Sequence, residues 1–228
     1  MILLDCLVGL MICMMLLGPI LKTTTDLIAK QISLEKTQIL QADGDRVMEL
    51  MGRAIRMAGY RNVTSVFEPT QSQSIKRLEP KRAAHQQTTT PFITIEKRSG
   101  YQQSDSFYVR HEIAKSGDLD CLGNALTHER THHGLALQGF KLEKPSSQQQ
   151  GDMGSVGSLM CQSYDRQGRI HQATLANGVE RLMIEEIERA HVTPANSGQK
   201  LYRIRIQMAD GRKNTVNLER TFATRNLR

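Results

Sequence analysis

The chain predicts an α+β fold in which one long N-terminal helix lies on an antiparallel sheet. Three observations carry this. The first 21 residues are apolar except for Asp5. Apolar residues at helical spacing then continue to about Met57. Near the end, Tyr202, Ile204, Ile206 and Met208 alternate with Arg203, Arg205 and Gln207. Asp210-Gly211 then offers a tight hairpin turn before Val216, Leu218 and Phe222.

The apolar run ends at Leu21, and Lys22 is the first basic residue. About 20 apolar residues rising 1.5 Å each cross a ~30 Å hydrocarbon core. No basic segment precedes the run and no small-residue cleavage site follows it, so it does not read as a secretory signal. A plain anchor whose Asp5 snorkels to the interface accounts for the hydrophobicity and gives the acid no task. A carboxylate at the bilayer centre costs roughly 2.5–3.5 kcal/mol, which argues against idleness. Within the run, Gly18-Pro19 predicts a kink or local unwinding, because proline removes one backbone bond and crowds the carbonyl four residues back.

Past Lys22 the helix continues in water. Ile28, Ile32 and Ile39 share one face, and Val47, Leu50, Met51, Ala54, Ile55 and Ala58 form a stronger stripe. A helix to Met57 makes a rod on the order of 85 Å, with a bend expected at Asp43-Gly44 and a C-cap at Gly59. Four regions follow: a transmembrane helix over 1–22, its amphipathic continuation over 23–58, a loop over 59–90, and a β-rich globular domain over 91–228. Residues 71–87 read as a disordered part of the loop. Strands are expected over 92–97, 107–113, 135–142, 158–164, 202–208 and 216–222. By pattern, residues 181–188 fit strand or helix.

Met1-Ile2-Leu3-Leu4-Asp5 resembles the start of a mature type IV pilin, with Met1 where Phe is commonest and Asp5 where Glu is usual. The resemblance extends to Asp45–Tyr60, whose Arg56-Met57-Ala58-Gly59-Tyr60 is similar to the helix end of PilW-type minor pilins. Asp105–Arg110, Asp120-Cys121-Leu122-Gly123, Leu159-Met160-Cys161, Asn177–Leu182 and Phe222–Asn226 resemble later blocks of that family. Residues 62–90 and 124–157 carry no part of it. The resemblance implies a pilin-like fold and favours a strand at 181–188. It also implies prepilin-peptidase cleavage before an N-methylated Met1, and a melt point at Gly18 and Pro19 that lets the helix stretch within a filament.

The 228 residues allow an anchor plus one domain with its own core. Aromatics make up 4% and Trp is absent, so Leu, Ile, Val and Met must fill that core. Net charge is +7, and since residues 1–21 hold a single acid, the remainder carries +8. Such a surface suits nucleic acid, anionic lipid or acidic partners. No Lys/Arg run exceeds two, which reads as a generally basic surface rather than a DNA groove. Cys6 and Cys13 lie seven apart in the apolar helix, about 10 Å along its axis and beyond disulfide reach, so they read as small hydrophobes. Cys121 and Cys161 form an even pair in an exported domain, which argues for a disulfide over free thiols or metal ligands.

Two segments resemble metal motifs. His128-Glu129-Arg130-Thr131-His132 matches H-E-x-x-H and is followed by His133. Arg130 stands where a zinc-binding helix needs an apolar residue, and Gly123 and Gly134 leave no room for a long helix, so a solvated loop is the expectation. His128 and His132 remain weak metal candidates. Asp118, Asp120 and Asn124 lack the glycine and closing glutamate of a calcium loop and read as a turn.

The resemblance implies a non-catalytic minor pilin without a cofactor, held in the inner membrane by a single pass with its C-terminal domain in the periplasm. There it would start assembly at the pilus tip. Its implied partners are other minor pilins, the major pilin, the inner-membrane assembly platform and prepilin peptidase. Twitching motility, cell adhesion and DNA uptake are the outputs such filaments serve. Met1 and Asp5 are the expected assembly residues. The alternatives are a PulJ-like minor pseudopilin of type II secretion, a DNA-uptake pilin using the basic surface, and an anchored zinc hydrolase using Glu129.

Overall fold

The computed structural model describes residues 2–60, 92–113, 117–131, 134–145, 156–187, 200–211 and 214–224. One helix, α1 (Ile2–Met57), precedes β1 (Ile93–Glu96), β2 (Ser106–Glu112), β3 (Leu135–Glu143), β4 (Gly157–Tyr164), β5 (Ile170–Ile187), β6 (Leu201–Ala209) and β7 (Thr215–Ala223). Every pairing is antiparallel and each strand lies beside the next in sequence, so the sheet order is β1 through β7. The α+β expectation therefore stands as one helix with a seven-stranded curled sheet. The expected loop at 62–90, with its segment 71–87, lies outside the described residues, as does the closing Arg225-Asn226.

The chain divides into two compact units, residues 1–39 and 40–228. The first is helix throughout its described length, and the described large apolar side chains between Leu7 and Ile39 are exposed. In the second, the last turns of α1 bury Leu40, Val47, Met48, Met51, Ala54, Ile55 and Ala58 against the sheet. Burying one large apolar side chain contributes about 1.5–3 kcal/mol, so this stripe holds the helix far more firmly than propensity does. The strands answer by alternation. Phe107 and Val109 of β2, Phe140 and Leu142 of β3, and Tyr202, Ile204, Ile206 and Met208 of β6 all point to the same core. Phe107 stacks on Phe140 with centroids 4.9 Å apart.

No bend interrupts the helix assignment at Asp43-Gly44. Gly44 serves close approach instead: a Cβ there would overlap Leu218 and the Met208 sulfur, and one at Gly52 would overlap the Phe222 ring. The helix ends at Met57, and Gly59 adopts φ 71° as the expected cap. Its N–H donates to the Arg110 carbonyl at 3.0 Å, and the Tyr60 carbonyl accepts from Glu112 N–H at 2.9 Å. The chain leaving the helix thus hydrogen-bonds to the later part of β2.

The sheet curls at β5. This strand pairs with β4 through Ile170–Val179 and with β6 through Val179–Ile187, with register shifts near the exchange. Gly178 sits there at φ 77°. The other side of the second half of β5 meets the start of β2. Asp105 N–H donates to the Leu182 carbonyl at 2.8 Å, and Ile184 N–H donates to Asp105 Oδ2 at 2.9 Å. The tight hairpin turn expected at Asp210-Gly211 falls between β6 and β7, where 212 and 213 lie outside the described residues. Ala209 and Thr215 are the last pair, and Asp210 and Asn214 close the loop with Asp210 N–H donating to Asn214 O at 3.1 Å.

Candidate functional site

Of the expected assembly residues, Met1 lies outside the described residues. Asp5 falls in the first turns of α1, and its side chain also lies outside them. Gly18 and Pro19 sit in the exposed stretch, where the helix assignment runs through both without a break. Just beyond, the Thr23 and Thr24 hydroxyls both donate to the Ile20 carbonyl, at 2.9 and 2.7 Å, and Thr25 donates to Lys22 O at 2.8 Å. Side-chain bonds of this kind favour bending in a helix. The helix that opens the chain is long and apolar enough to cross a membrane.

The soluble cysteines are bridged. Cys121 and Cys161 form a disulfide with a Cα–Cα distance of 6.1 Å, and both belong to the core. The bridge ties the loop at 117–131 to β4. In the apolar helix, Cys13 is free and exposed, and the Cys6 side chain lies outside the described residues.

The loop owes its local shape to Asp120. Its Oδ1 accepts from Leu122 N–H at 3.0 Å and Asn124 N–H at 2.7 Å, while Oδ2 accepts from Asn124 Nδ2 at 3.4 Å. Arg130 approaches the same carboxylate at 3.5 Å. These are the bonds of an Asx-type turn, which gives the Asp118–Asn124 segment its explanation. His128 and Glu129 lie in an exposed turn that Thr127 organises, with its hydroxyl accepting from Arg130 N–H at 3.3 Å and its carbonyl from the Thr131 hydroxyl at 2.8 Å. His132 and His133 lie outside the described residues. Among the described residues, no three His, Cys, Asp or Glu side chains converge on a point where a metal ion fits.

The sequence reading passed over His111. Period-two alternation puts it on the inward face of β2 with Phe107, Val109 and Ile113, and it is 3% exposed. Its Nδ1 has no hydrogen-bond partner among the described residues. It lines a partly open cleft of about 30 Å³ with Arg53 of α1, Asp118 and Asp120 of the loop, and Gln138 of β3. That volume has room for ordered water. Burial pushes the imidazole below its usual value, Asp118 pulls it up, and Arg53 lowers it further, for a net downward shift.

Asp105 was also passed over as a buried acid. Its Oδ2 accepts from Ile184 N–H and from Lys97 Nζ at 3.0 Å, and its Oδ1 accepts from Arg98 N–H at 3.0 Å. Lys97 Nζ donates to the Ile184 carbonyl as well. Burial alone would raise this carboxyl, but the Ile184 amide, Lys97 and the Arg98 amide outweigh it and hold it below the usual range.

On the sheet face turned from the core, charges are matched across strands. Arg205 meets Glu219 at 2.8 Å and Glu185 at 3.3 Å, and Arg203 meets Glu219 at 3.2 Å. On the opposite side of β7, which faces the helix, Arg220 reaches Asp45 on α1 at 2.7 Å. These arginines are engaged by carboxylates, so they form no continuous basic stripe.

No protein-family model, curated protein or solved structure matches this chain.

Proposed function

We propose that this protein is a PilW-like minor pilin, a non-catalytic subunit that helps start type IV pilus assembly with other minor pilins at the tip. The observation that carries the reading is the contrast along α1. Its last turns from Leu40 are buried in a sheet, while Leu7 to Leu21 is apolar and bare. A helix left bare over that length needs either lipid or neighbouring helices around it. The likeness of Met1–Asp5 and Arg56–Tyr60 to pilin signatures favours both in succession: the inner membrane first, then a filament. In that setting Asp5 pairs with the free amine of a neighbouring subunit's first residue. Two charges that would each be costly in a low-dielectric core then compensate one another and fix axial register. Gly18 and Pro19 supply the stretch point. A secretion pseudopilus uses the same parts, and the Arg56–Tyr60 signature favours the pilus.

The test is mass spectrometry of the protein from its native cells, with recovery in sheared pilus fractions as the second readout. N-methylated Met1 and co-purification with pili are expected. An unmethylated or formylated Met1 in a protein confined to membranes would overturn the reading. Recovery with secretion components instead of pili would reassign it to the pseudopilus.

A further inference from the structure

We propose that the cleft around His111 is an acid-operated release for the disulfide-tethered loop at 117–131. Charging the buried imidazole drives the loop off the cleft and breaks up the small cluster of Ile113, Leu126 and Ala136. The inference is independent of how the helix assembles.

The geometry sets up a two-position element. The loop is closed on itself by the Leu119–Ala125 bridge, by Leu126 N–H donating to Asp118 O at 2.8 Å, and by the Asp120 turn. It can therefore move as a unit. Cys121 anchors it to β4 through the bridge to Cys161, so opening is a swing about a fixed point rather than a loss of the segment. Its hold on the sheet includes Leu126, which packs with Ile113 and Ala136 in a cluster separate from the main core. The closed position keeps His111 buried beside a narrow cleft, with Nδ1 lacking a partner among the described residues.

A neutral imidazole tolerates that enclosure. An imidazolium does not, because it needs hydration or a partner for each N–H. The charged groups that face it are Arg53 from α1 and Asp118 and Asp120 from the loop. Strand β3 presents neutral Gln138, and the loop adds the Cys121 end of the disulfide. Arg53 opposes the new charge and Asp118 favours it. Asp120 is occupied by its own turn and by Arg130. Opening wets the ring and relieves the enclosure, and water then screens the new charge from Arg53, which stays in place on α1.

The sign follows from linkage. The closed form, with its imidazole held below the usual value, binds a proton less readily than an open form with a hydrated ring, for which the ordinary histidine value is about 6.5. Closure is thus fully favoured above that value and weakens as pH falls below it. Between pH 7.5 and 5.5 the open fraction of the loop should rise by up to about tenfold, the limit for a closed form that does not protonate in that range.

Hydrogen exchange read by mass spectrometry on the full chain in detergent micelles tests this, with exchange times scaled to the intrinsic pH dependence. Peptides from 117–131 should lose protection several-fold at pH 5.5 while β6 and β7 peptides hold theirs. His111→Gln should make the loop's protection independent of pH. Arg53→Gln, at an exposed side chain, should raise the closed-state affinity for the proton and shrink the pH effect, and it keeps the test alive if His111→Gln does not fold. Equal loop protection at both pH values would overturn the proposal. So would a pH effect that survives His111→Gln, one that Arg53→Gln leaves unchanged, or one shared by the whole sheet.

Discussion

Asp105 joins three parts of the chain through one carboxylate: its own strand, the Lys97-Arg98 turn after β1, and Ile184 in β5. Its lowered pKa means the folded protein binds that proton less readily than the unfolded chain does. The stabilisation is therefore complete above the ordinary carboxyl value of 3.8 and is lost as pH falls below it through the folded value. Asp105→Asn should lower stability at neutral pH and flatten the acid limb of unfolding below pH 4, read by far-UV circular dichroism against pH. Asp165 behaves similarly in the β4–β5 turn. Desolvation works against its ionisation, but the Arg169 side chain, the Arg169 amide and the Gln167 amide bring its pKa down to about 2. Asp105 was not legible as a structural clasp from sequence, because it finds Ile184 at a separation of 79 residues, whereas the partners of Asp165 lie within four residues of it. His111 was legible in principle: it stands one alternation step from Val109, on the apolar face. The Cys121–Cys161 pair was read correctly because an even pair outside the apolar helix constrains the answer more than any local pattern.

At the level of elements, α1 and β5 mark the two limits of what periodicity tells. The buried stripe of α1 follows its 3.6-residue pattern closely. Gly44 and Gly52, by contrast, answer to neighbours far along the chain. A larger side chain at Gly52 must displace Phe222, and overpacking of this kind costs typically 1–3 kcal/mol. Gly52→Leu should destabilise by about 2 kcal/mol in urea unfolding, and combining it with Phe222→Ala should make the two effects clearly non-additive. The first half of β5 was not expected, because Ile170–Leu175 are largely exposed and Asn177-Gly178 has the composition of a turn. Pairing with β4 makes it a strand, and no apolar alternation advertises it. The disulfide acts at this scale too. Its closing separation of 40 residues corresponds to roughly 4 kcal/mol on the chain-entropy estimate. Cys121→Ser with Cys161→Ser should lower stability by no more than that amount, again by denaturant titration.

For the whole molecule, the division at Ile39/Leu40 separates what the chain needs for its own fold from what it offers to surroundings. Substitutions within Leu7 to Ile39 should leave the β-rich unit's unfolding unchanged, since those side chains are exposed and belong to no core cluster. Asp5→Ala should likewise leave that unit folded, with full membrane insertion, yet reduce incorporation into pili at least tenfold by immunoblot of sheared fractions. Undiminished incorporation would remove the assembly role given to that acid. The long apolar opening made a helix able to cross a membrane legible, because length and composition alone decide that property.

The simple strand order has a consequence for how the chain comes to be. Each strand waits only for its immediate successor, so the sheet can grow in the order in which residues emerge, with little loop-closure entropy per step. The helix is made first, yet part of the surface that shields it is made last: Leu218 and Phe222 of β7 cover Gly44 and Gly52. Until about residue 222 has arrived, the amphipathic half of α1 stays partly wet and open to proteases or to premature association. Completion of the domain is thus timed by its final hairpin, and a nascent subunit cut short before β7 would expose an unfinished groove for quality control to recognise.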